Sequence, residues 1–275
     1  MADAQKGRTP PRLLQVKRTQ TLCPSLKRVV LCGDALEGFP EHSDGAHIKL
    51  MFPQAHQNTP VLPTLTDKGI QWPPANEKPI VRTYSVGHFD SKRGEIGIDM
   101  VLHGDNGPAS RWAINAQPGD QVGLAGPGGP ERIKQNANWY ILAADLSSFA
   151  ALNSALNSLP SHAKGYAFME VATEADIFPI HHNTQIEVQW LVRHNAPART
   201  STMLLDAIAS LTWLEGQASI MLAGENSQVV AIRDYLLKEK NFPKKMLYAV
   251  PYWKETFTEE GYHEERHRIM DELGE

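Results

Sequence analysis

The sequence predicts an antiparallel β-barrel or sandwich followed by a parallel-sheet α/β domain with a terminal helix, and three observations predict it. Residues 13–125 read as short β-type runs cut by Gly, Pro, Asp and Asn, the rhythm of antiparallel all-β structure. After Pro127, strand-like apolar runs alternate with stretches of helical periodicity, which requires crossover connections and a mostly parallel sheet. Between these textures lies a Gly/Pro and polar stretch at 126–138, the composition of a domain boundary. The expected division is residues 1–130 and 131–275, since 275 residues with 41% hydrophobic content suit two ordinary domains.

In the first half the strand candidates are 27–32, 47–52, 80–86, 95–102 and 121–125. A long connection at 53–79 carries Pro60, Pro63, Pro73 and Pro74; it reads either as a mobile edge near a ligand or as an inert insertion. Residues 107–113 read as a helix start, with Pro108 where a missing N–H costs nothing. In the second half, strands are expected at 139–144, 165–171, 186–192, 218–223 and 246–250. Helices are expected at 147–159, 201–211 and 227–240, where apolar residues recur at three-and-four spacing. In the last of these Val229, Ile232, Leu236 and Leu237 share a face. Residues 258–273 form a charged terminal helix, with Glu259 and Glu260 in the first turn where they favour the helix dipole.

A formal charge of −4, from 27 Lys+Arg against 31 Asp+Glu, gives no global field for nucleic acid or an anionic membrane. Attraction for a charged ligand has to be local. Residues 1–12 are polar and basic with no apolar h-region, unlike a secretory signal. No apolar run approaches the roughly 18 to 20 residues that cross a bilayer, so a cytoplasmic location is expected. Cys23 and Cys32 are the only cysteines, too few for a disulfide framework, a structural zinc or an iron–sulfur cluster. They read as small apolar residues, with a redox pair as the alternative.

Three neighbouring segments carry the candidate chemistry of the first half. Arg82-Thr83-Tyr84-Ser85 lies on a strand, so Arg82 and Tyr84 point to one face and Thr83 to the other. The planar fork of an arginine suits a phosphate, and a tyrosine offers a flat surface whose hydroxyl stays hydrogen-bonded. Ser85 reaches a ring edge if backbone twist brings it round. The same four residues also fit an edge strand with a surface Arg and a half-buried Tyr. Asp99-Met100-Val101-Leu102-His103-Gly104 ends a strand at a turn. Gly107-Pro108-Ala109-Ser110-Arg111-Trp112-Ala113 opens a helix whose N–H groups and positive end would receive a pyrophosphate, with the Ser110 hydroxyl as an extra donor; a helix cap without a ligand fits equally. No Gly-x-Gly-x-x-Gly occurs, so a Rossmann grip is not available and any nucleotide is held by the barrel.

In order and spacing, these segments resemble the siderophore-interacting protein family. So do Pro118-Gly119-Asp120-Gln121-Val122-Gly123-Leu124-Ala125-Gly126-Pro127, His47-Ile48-Lys49-Leu50-Met51-Phe52-Pro53, Trp190-Leu191-x-Arg193, Ala223-Gly224-Glu225 and Tyr252-Trp253-Lys254. Members are FAD-dependent ferric-siderophore reductases similar in architecture to ferredoxin-NADP reductases. The resemblance implies a six-stranded antiparallel flavin-binding barrel, an α/β reductant-binding domain and non-covalent FAD. It places Arg82 on the FAD phosphates and Tyr84 and Ser85 at the isoalloxazine ring, and counts Thr83 among the cofactor-binding residues. Asp99, Val101, Leu102 and His103 would run along the flavin, and Gly107, Pro108, Ala109 and Ser110 would lie at the pyrophosphate. His103 reads alternatively as a buried, hydrogen-bonded turn residue. The resemblance assigns Asp145, Ser147, Gly224 and Glu225 to the reductant, and Lys49, Arg193 and Lys254 to a ferric siderophore. It implies NADH or NADPH as donor, with reduced ferredoxin as the other option, and a monomer is expected.

One segment departs from the family. Ala144, Leu146 and Ala150 stand where the family has Gly, Glu and Pro, while Asp145 is kept and Ser147 replaces a threonine. A methyl group at a close backbone approach obstructs a bound dinucleotide, which keeps ferredoxin in view. Lys238, Lys240, Lys244 and Lys245 cluster around Pro243 and read as a solvated helix end. Lys254 is the better candidate to raise the local concentration of an anionic chelate. His263-Glu264-Glu265-Arg266-His267 satisfies the His-Glu-x-x-His pattern of helical zinc sites, but only eight residues follow it and its flanks are strongly charged. It reads as a solvent-facing helix packed through Tyr262, Ile269 and Leu273, and no metal is expected. Two other functions stay open: a general NAD(P)H:flavin or ferredoxin reductase, and a non-catalytic siderophore-binding protein of iron trafficking.

Overall fold

Alternation along the first-half strands sends every second apolar side chain into one core. Leu14 and Val16 come from β1 (Arg12–Cys23), Val29 and Leu31 from β2 (Leu26–Cys32), and Ile48, Leu50 and Phe52 from β3 (His47–Phe52). A small hairpin, β4 (Thr64–Thr66) and β5 (Gly69–Gln71), follows. Val86 of β6 (Ile80–Asp90) and Ile96, Ile98 and Met100 of β7 (Glu95–Val101) continue the core. Ala109 and Ala113 of α1 (Pro108–Asn115) cover it, and Val122 and Leu124 of β8 (Gln121–Gly128) complete it. The six long strands close into an antiparallel barrel in the order β1-β2-β7-β6-β3-β8, which leaves it no unpaired edge. The computed structural model describes residues 9–105, 107–129 and 131–274, without the side chains of 273 and 274. The expectations drawn from residues 1–8 and from the Leu273 side chain lie outside the described residues.

The connection at 53–79 is seated on the barrel. Pro60 and Pro63 are buried, and Leu62 packs so closely on Gly123 that a Cβ there would lie 2.3 Å from Leu62 Cδ2. Glycine at 123 is therefore what lets the connection dock. At its far end the hairpin leaves Leu65, Ile70 and Trp72 exposed, with Lys78 Nζ 5.0 Å from the Trp72 ring centroid.

Contacts group Lys27–Gly129 with the residues up to Thr21 in one compact unit. They group the chain after Gly129 with Leu22–Leu26 in a second. The second unit runs β9 (Trp139–Asp145), α2 (Phe149–Ser158), β10 (Gly165–Val171), β11 (Val188–Val192), α3 (Met203–Ala209), β12 (Ala218–Glu225), α4 (Asn226–Asp234), β13 (Leu247–Trp253) and α5 (Glu259–Gly274). Its strands are parallel, in the order β11-β10-β9-β12-β13. The inner pair, β9 and β12, is buried almost throughout, as expected for strands covered on both faces. Chain order reverses direction between β9 and β12, so the crevice at their C-terminal ends is the position where open α/β sheets bind ligands.

Several ends differ from the sequence reading for local reasons. A 3₁₀ turn at Leu146–Ser148, capped by Asp145, delays α2 to Phe149. The helix expected at 227–240 is α-helical only to Asp234 and widens into a π turn over Tyr235–Glu239. Cys23 is buried beside Asp176, and burial first, with Asp176 adding to it, pushes its thiol up to about 11. A thiol held protonated is a poor nucleophile. Among the described residues no helix is long and apolar enough to cross a membrane.

Trp139 anchors the second core. It is fully buried, stacks edge-on with Trp213 at 5.3 Å and Tyr166 at 6.3 Å, and its Nε1–H donates to the Gly216 carbonyl at 3.2 Å. Trp139→Ala is expected to cost about 3–5 kcal/mol, read as a lowered urea midpoint by circular dichroism. A loss below about 1 kcal/mol would show that this core is loosely packed.

Candidate functional site

On the barrel, β6 pairs with β3 on one side and β7 on the other. Its Arg82–Ser85 stretch lies opposite Leu50, Lys49, Ile48 and His47 in register. Arg82 is half-buried, and its Nη1 donates to the Val81 carbonyl at 2.8 Å. Tyr84 is half-buried against the barrel core, while Ser85 is buried. Thr83 Oγ1 receives a hydrogen bond from Lys49 Nζ, which places Lys49 on the same outer face. Antiparallel pairing from Val86 opposite Ile98 carries this stretch alongside the end of β7.

Asp99 has a role that sequence reasoning missed. Arg28 on β2 grips its carboxylate with both arms, Nε to Oδ1 at 2.6 Å and Nη2 to Oδ2 at 2.8 Å. Burial works against the guanidinium charge, but the Asp99 bonds and attraction outweigh it and hold Arg28 above its ordinary value. Gly87 makes room for the pair, because a Cβ there would lie 2.8 Å from Asp99 Oδ2. Nothing local in Leu26–Cys32 marks Arg28, since its partner lies 71 residues away.

Past β7, Val101 and Leu102 are half-buried and His103 is exposed. The reading of His103 as a buried turn residue is therefore corrected. The exposed ring lies over Gly107, where a Cβ would come 2.8 Å from His103 Cε1. Ser110 is buried; its hydroxyl accepts from the His103 N–H at 3.1 Å and donates to the Gly104 carbonyl at 2.6 Å. It locks the turn instead of facing outward. No side chain caps α1, whose Ncap is Gly107 and whose first residue is Pro108. An anion there would meet backbone N–H groups, with Ala109 buried beneath them.

In the second unit the strand ends are closed by their own side chains. Asp145 accepts from the Ser147 N–H at 2.8 Å and from the Ser147 hydroxyl on Oδ1, and from Trp253 Nε1–H at 2.7 Å on Oδ2. Gly224, at φ 147°, passes so near that a Cβ would lie 2.7 Å from Asp145 Oδ2. Glu225 caps α4 through the Ser227 N–H at 2.6 Å and also accepts from the Glu255 N–H at 3.2 Å. Ala144 is fully buried within β9, and the Asp145–Trp253 bond runs across the strand ends beside it.

Arg193 and Lys254 are likewise engaged. Arg193 Nε lies 3.4 Å from buried Glu170, which also accepts from Ser201 Oγ at 2.6 Å and Gln228 Nε2 at 2.9 Å. Lys254 Nζ donates to both oxygens of Glu265 on α5, at 2.9 and 2.7 Å, and lies 4.5 Å from the Phe257 ring centroid. Of the clustered lysines, Lys238 pairs with Asp234 and Lys244 bonds the Glu272 carbonyl, as a helix end does.

A closed barrel followed by a parallel sheet with its crevice at the switch point defines a two-domain flavoprotein of ferredoxin reductase-like fold. Two family profiles cover the chain: the siderophore-interacting FAD-binding domain over residues 15–131 and the siderophore-interacting protein over 137–256. The ferric vibriobactin reductase of Vibrio cholerae is 41% identical over 264 residues, 95% of this chain and 96% of its own. The NADPH-dependent ferric-chelate reductase of Escherichia coli is 32% identical over 215 residues, covering 76% and 83%. The crystal structure of the siderophore-interacting protein SipS from Aeromonas hydrophila matches with a TM-score of 0.83 at 33% identity, covering 95% and 98%. The chain belongs to the siderophore-interacting protein family.

Burial raises the Glu170 carboxyl above its ordinary value; Ser201, Gln228 and Arg193 oppose this, and Asp145 adds to it. The folded state therefore favours protonated Glu170. Its contribution is present below the unfolded value of about 4.3 and is lost as pH rises through the raised one. Wild type is expected to lose stability against Glu170→Gln as pH climbs through that window, read as diverging urea midpoints. Parallel midpoints would remove the desolvated acid.

Proposed function

We propose that this chain is a flavin-dependent ferric-siderophore reductase, which holds FAD on its barrel and passes electrons to Fe(III) in an anionic chelate. What supports this is a half-buried Arg82 and Tyr84 on β6, together with an α1 start that no side chain caps. These groups fit a flavin dinucleotide: a guanidinium and backbone N–H groups for the phosphates, a half-buried aromatic ring for the isoalloxazine, and Gly107 for close backbone approach. Thr83 and Ser85 would act at the ring edge, Val101, Leu102 and His103 along the ring, and Gly107, Ala109 and Ser110 through backbone N–H groups at a helix start that Pro108 preorganises. Asp99 would act through Arg28 as a positioning residue. Bound FAD supplies a centre that accepts two electrons and gives them up singly, as Fe(III) requires. Hard oxygen ligands hold Fe(III) far better than Fe(II), so reduction releases the metal and leaves the chelator intact.

A nicotinamide dinucleotide is the proposed donor, supported by the name of the Escherichia coli relative; Asp145, Ser147, Gly224 and Glu225 would line its site. A second reading, reduced ferredoxin, is favoured by the Asp145–Trp253 bond, which occupies polar groups at the strand ends that a dinucleotide would meet. Lys49, Arg193 and Lys254 are the proposed cations for the chelate, with Glu265 competing for Lys254. The deciding experiment is anaerobic addition of NADPH, NADH or reduced ferredoxin to the FAD-loaded protein, followed by a ferric siderophore and an Fe(II) trap. Trapped Fe(II) in step with reoxidation of the flavin is expected. A flavin that no donor reduces would favour a non-catalytic binding protein, and reduction without Fe(II) release would favour a general flavin or ferredoxin reductase.

Arg82→Ala is expected to weaken FAD binding about 10- to 100-fold, the worth of a charge-assisted hydrogen bond, measured by flavin retention and fluorescence titration; unchanged affinity would remove Arg82 from the phosphates. Lys254→Ala is expected to weaken an anionic ferric chelate roughly fivefold while sparing a neutral one, and Glu265→Gln to tighten the anionic one by a similar factor. Equal effects on both chelates would sink the electrostatic role.

A further inference from the structure

Electron transfer to a chelate makes no use of the paired histidines on α5. His263 and His267 stand one turn apart, both exposed, with Nε2 atoms 3.2 Å apart and ring centroids at 4.4 Å. Two imidazole nitrogens each about 2.0–2.1 Å from one cation, at near-tetrahedral angle, stand about 3.2–3.4 Å apart. The rings are thus already at the spacing of adjacent ligands. They share one exposed face of α5 with Glu264, Arg268, Asp271 and Glu272. Glu272 is paired with Arg233 at 3.0 Å. With Glu272 so paired, Glu264 and Asp271 stand against Arg268 on this face, a small local negative balance that favours cations.

We propose that His263 and His267 form a two-imidazole clasp for a borderline first-row divalent cation, a site separate from flavin, donor and chelate. Imidazole selects Zn(II), Ni(II), Cu(II) and Fe(II) over Mg(II) and Ca(II). Among the described residues no group of three or more His, Cys, Asp or Glu side chains is placed to hold a metal ion. The cation therefore keeps water at its other positions, and the clasp is a binding site without the closed ligand set of a structural zinc. Fe(II) falls within the selected class, and its relevance as a source rests on the proposed reductase activity.

The test is calorimetric titration of untagged, FAD-loaded protein with Ni(II), Zn(II) and Mg(II), and with Fe(II) under anaerobic conditions. A one-equivalent step with Ni(II) and Zn(II), absent with Mg(II), is expected in wild type. It should be lost in His263→Ala, His267→Ala and the helix-compatible His263→Gln. Circular dichroism and ferric-chelate reduction in metal-free buffer should be unchanged in all three. Absence of the step in wild type, or its survival in the variants, overturns the clasp. An Fe(II) step that disappears in the variants makes ferrous iron one of its sources. Its absence beside intact Ni(II) and Zn(II) steps rejects that source without touching the reductase reading, which the Fe(II)-trap assay decides independently.

Discussion

Closure of the barrel is the constraint on which the first site depends. Because β6 is held between β3 and β7, the period-two alternation of its side chains is fixed by both neighbours at once. A register slip of one residue would exchange Arg82 and Tyr84 for Thr83 and Ser85 on the face they occupy. The Arg28–Asp99 pair reinforces this from inside the sheet, tying β2 to β7 with two charge-assisted bonds. Beyond β7, the Ser110 hydroxyl ties the turn to the first turn of α1. The helix start is thereby set by a buried polar link, which frees its own N–H groups from that duty.

The second unit solves the opposite problem. A parallel sheet with helices on its faces must end its central strands in a crevice, and an acidic side chain at such an edge needs partners once buried. Asp145 finds them in its own turn and in the indole of Trp253, and Glu225 finds them in α4 and in Glu255. Side chains that could meet a donor are thus spent on shaping the edge. Lys254 likewise has its charge met within the unit, by both oxygens of Glu265.

The antiparallel first half and the parallel sheet of the second were legible because they rest on periodicity and on turn residues, which are local, whereas closure of the barrel was only implied by the family resemblance and the strand order was not legible at all. Arg82, Tyr84 and Gly107 stood out as candidates because phosphate and ring recognition favour few residue types. Arg28 did not, since a basic residue in Leu26–Cys32 looks like any strand residue facing water until β7 is laid beside it. Glu265 was hidden in a run of helical charges, and only the docking of α5 against β13 picks it out. Ala144 drew suspicion as a departure from the family, yet it is buried within β9, and the side chain bonded across the strand ends is that of its unchanged neighbour Asp145.

Composition and pattern were enough to fix which faces of each strand and helix are apolar, where the two textures meet, and which residue types are suited to a phosphate and an aromatic ring. These are properties of neighbours in the chain. Partnership between charges far apart in sequence was settled by packing: Arg28 with Asp99, Asp145 with Trp253, Lys254 with Glu265. Each such bond needs two elements brought within about 3 Å, and that distance exists once the strands and helices have found their places.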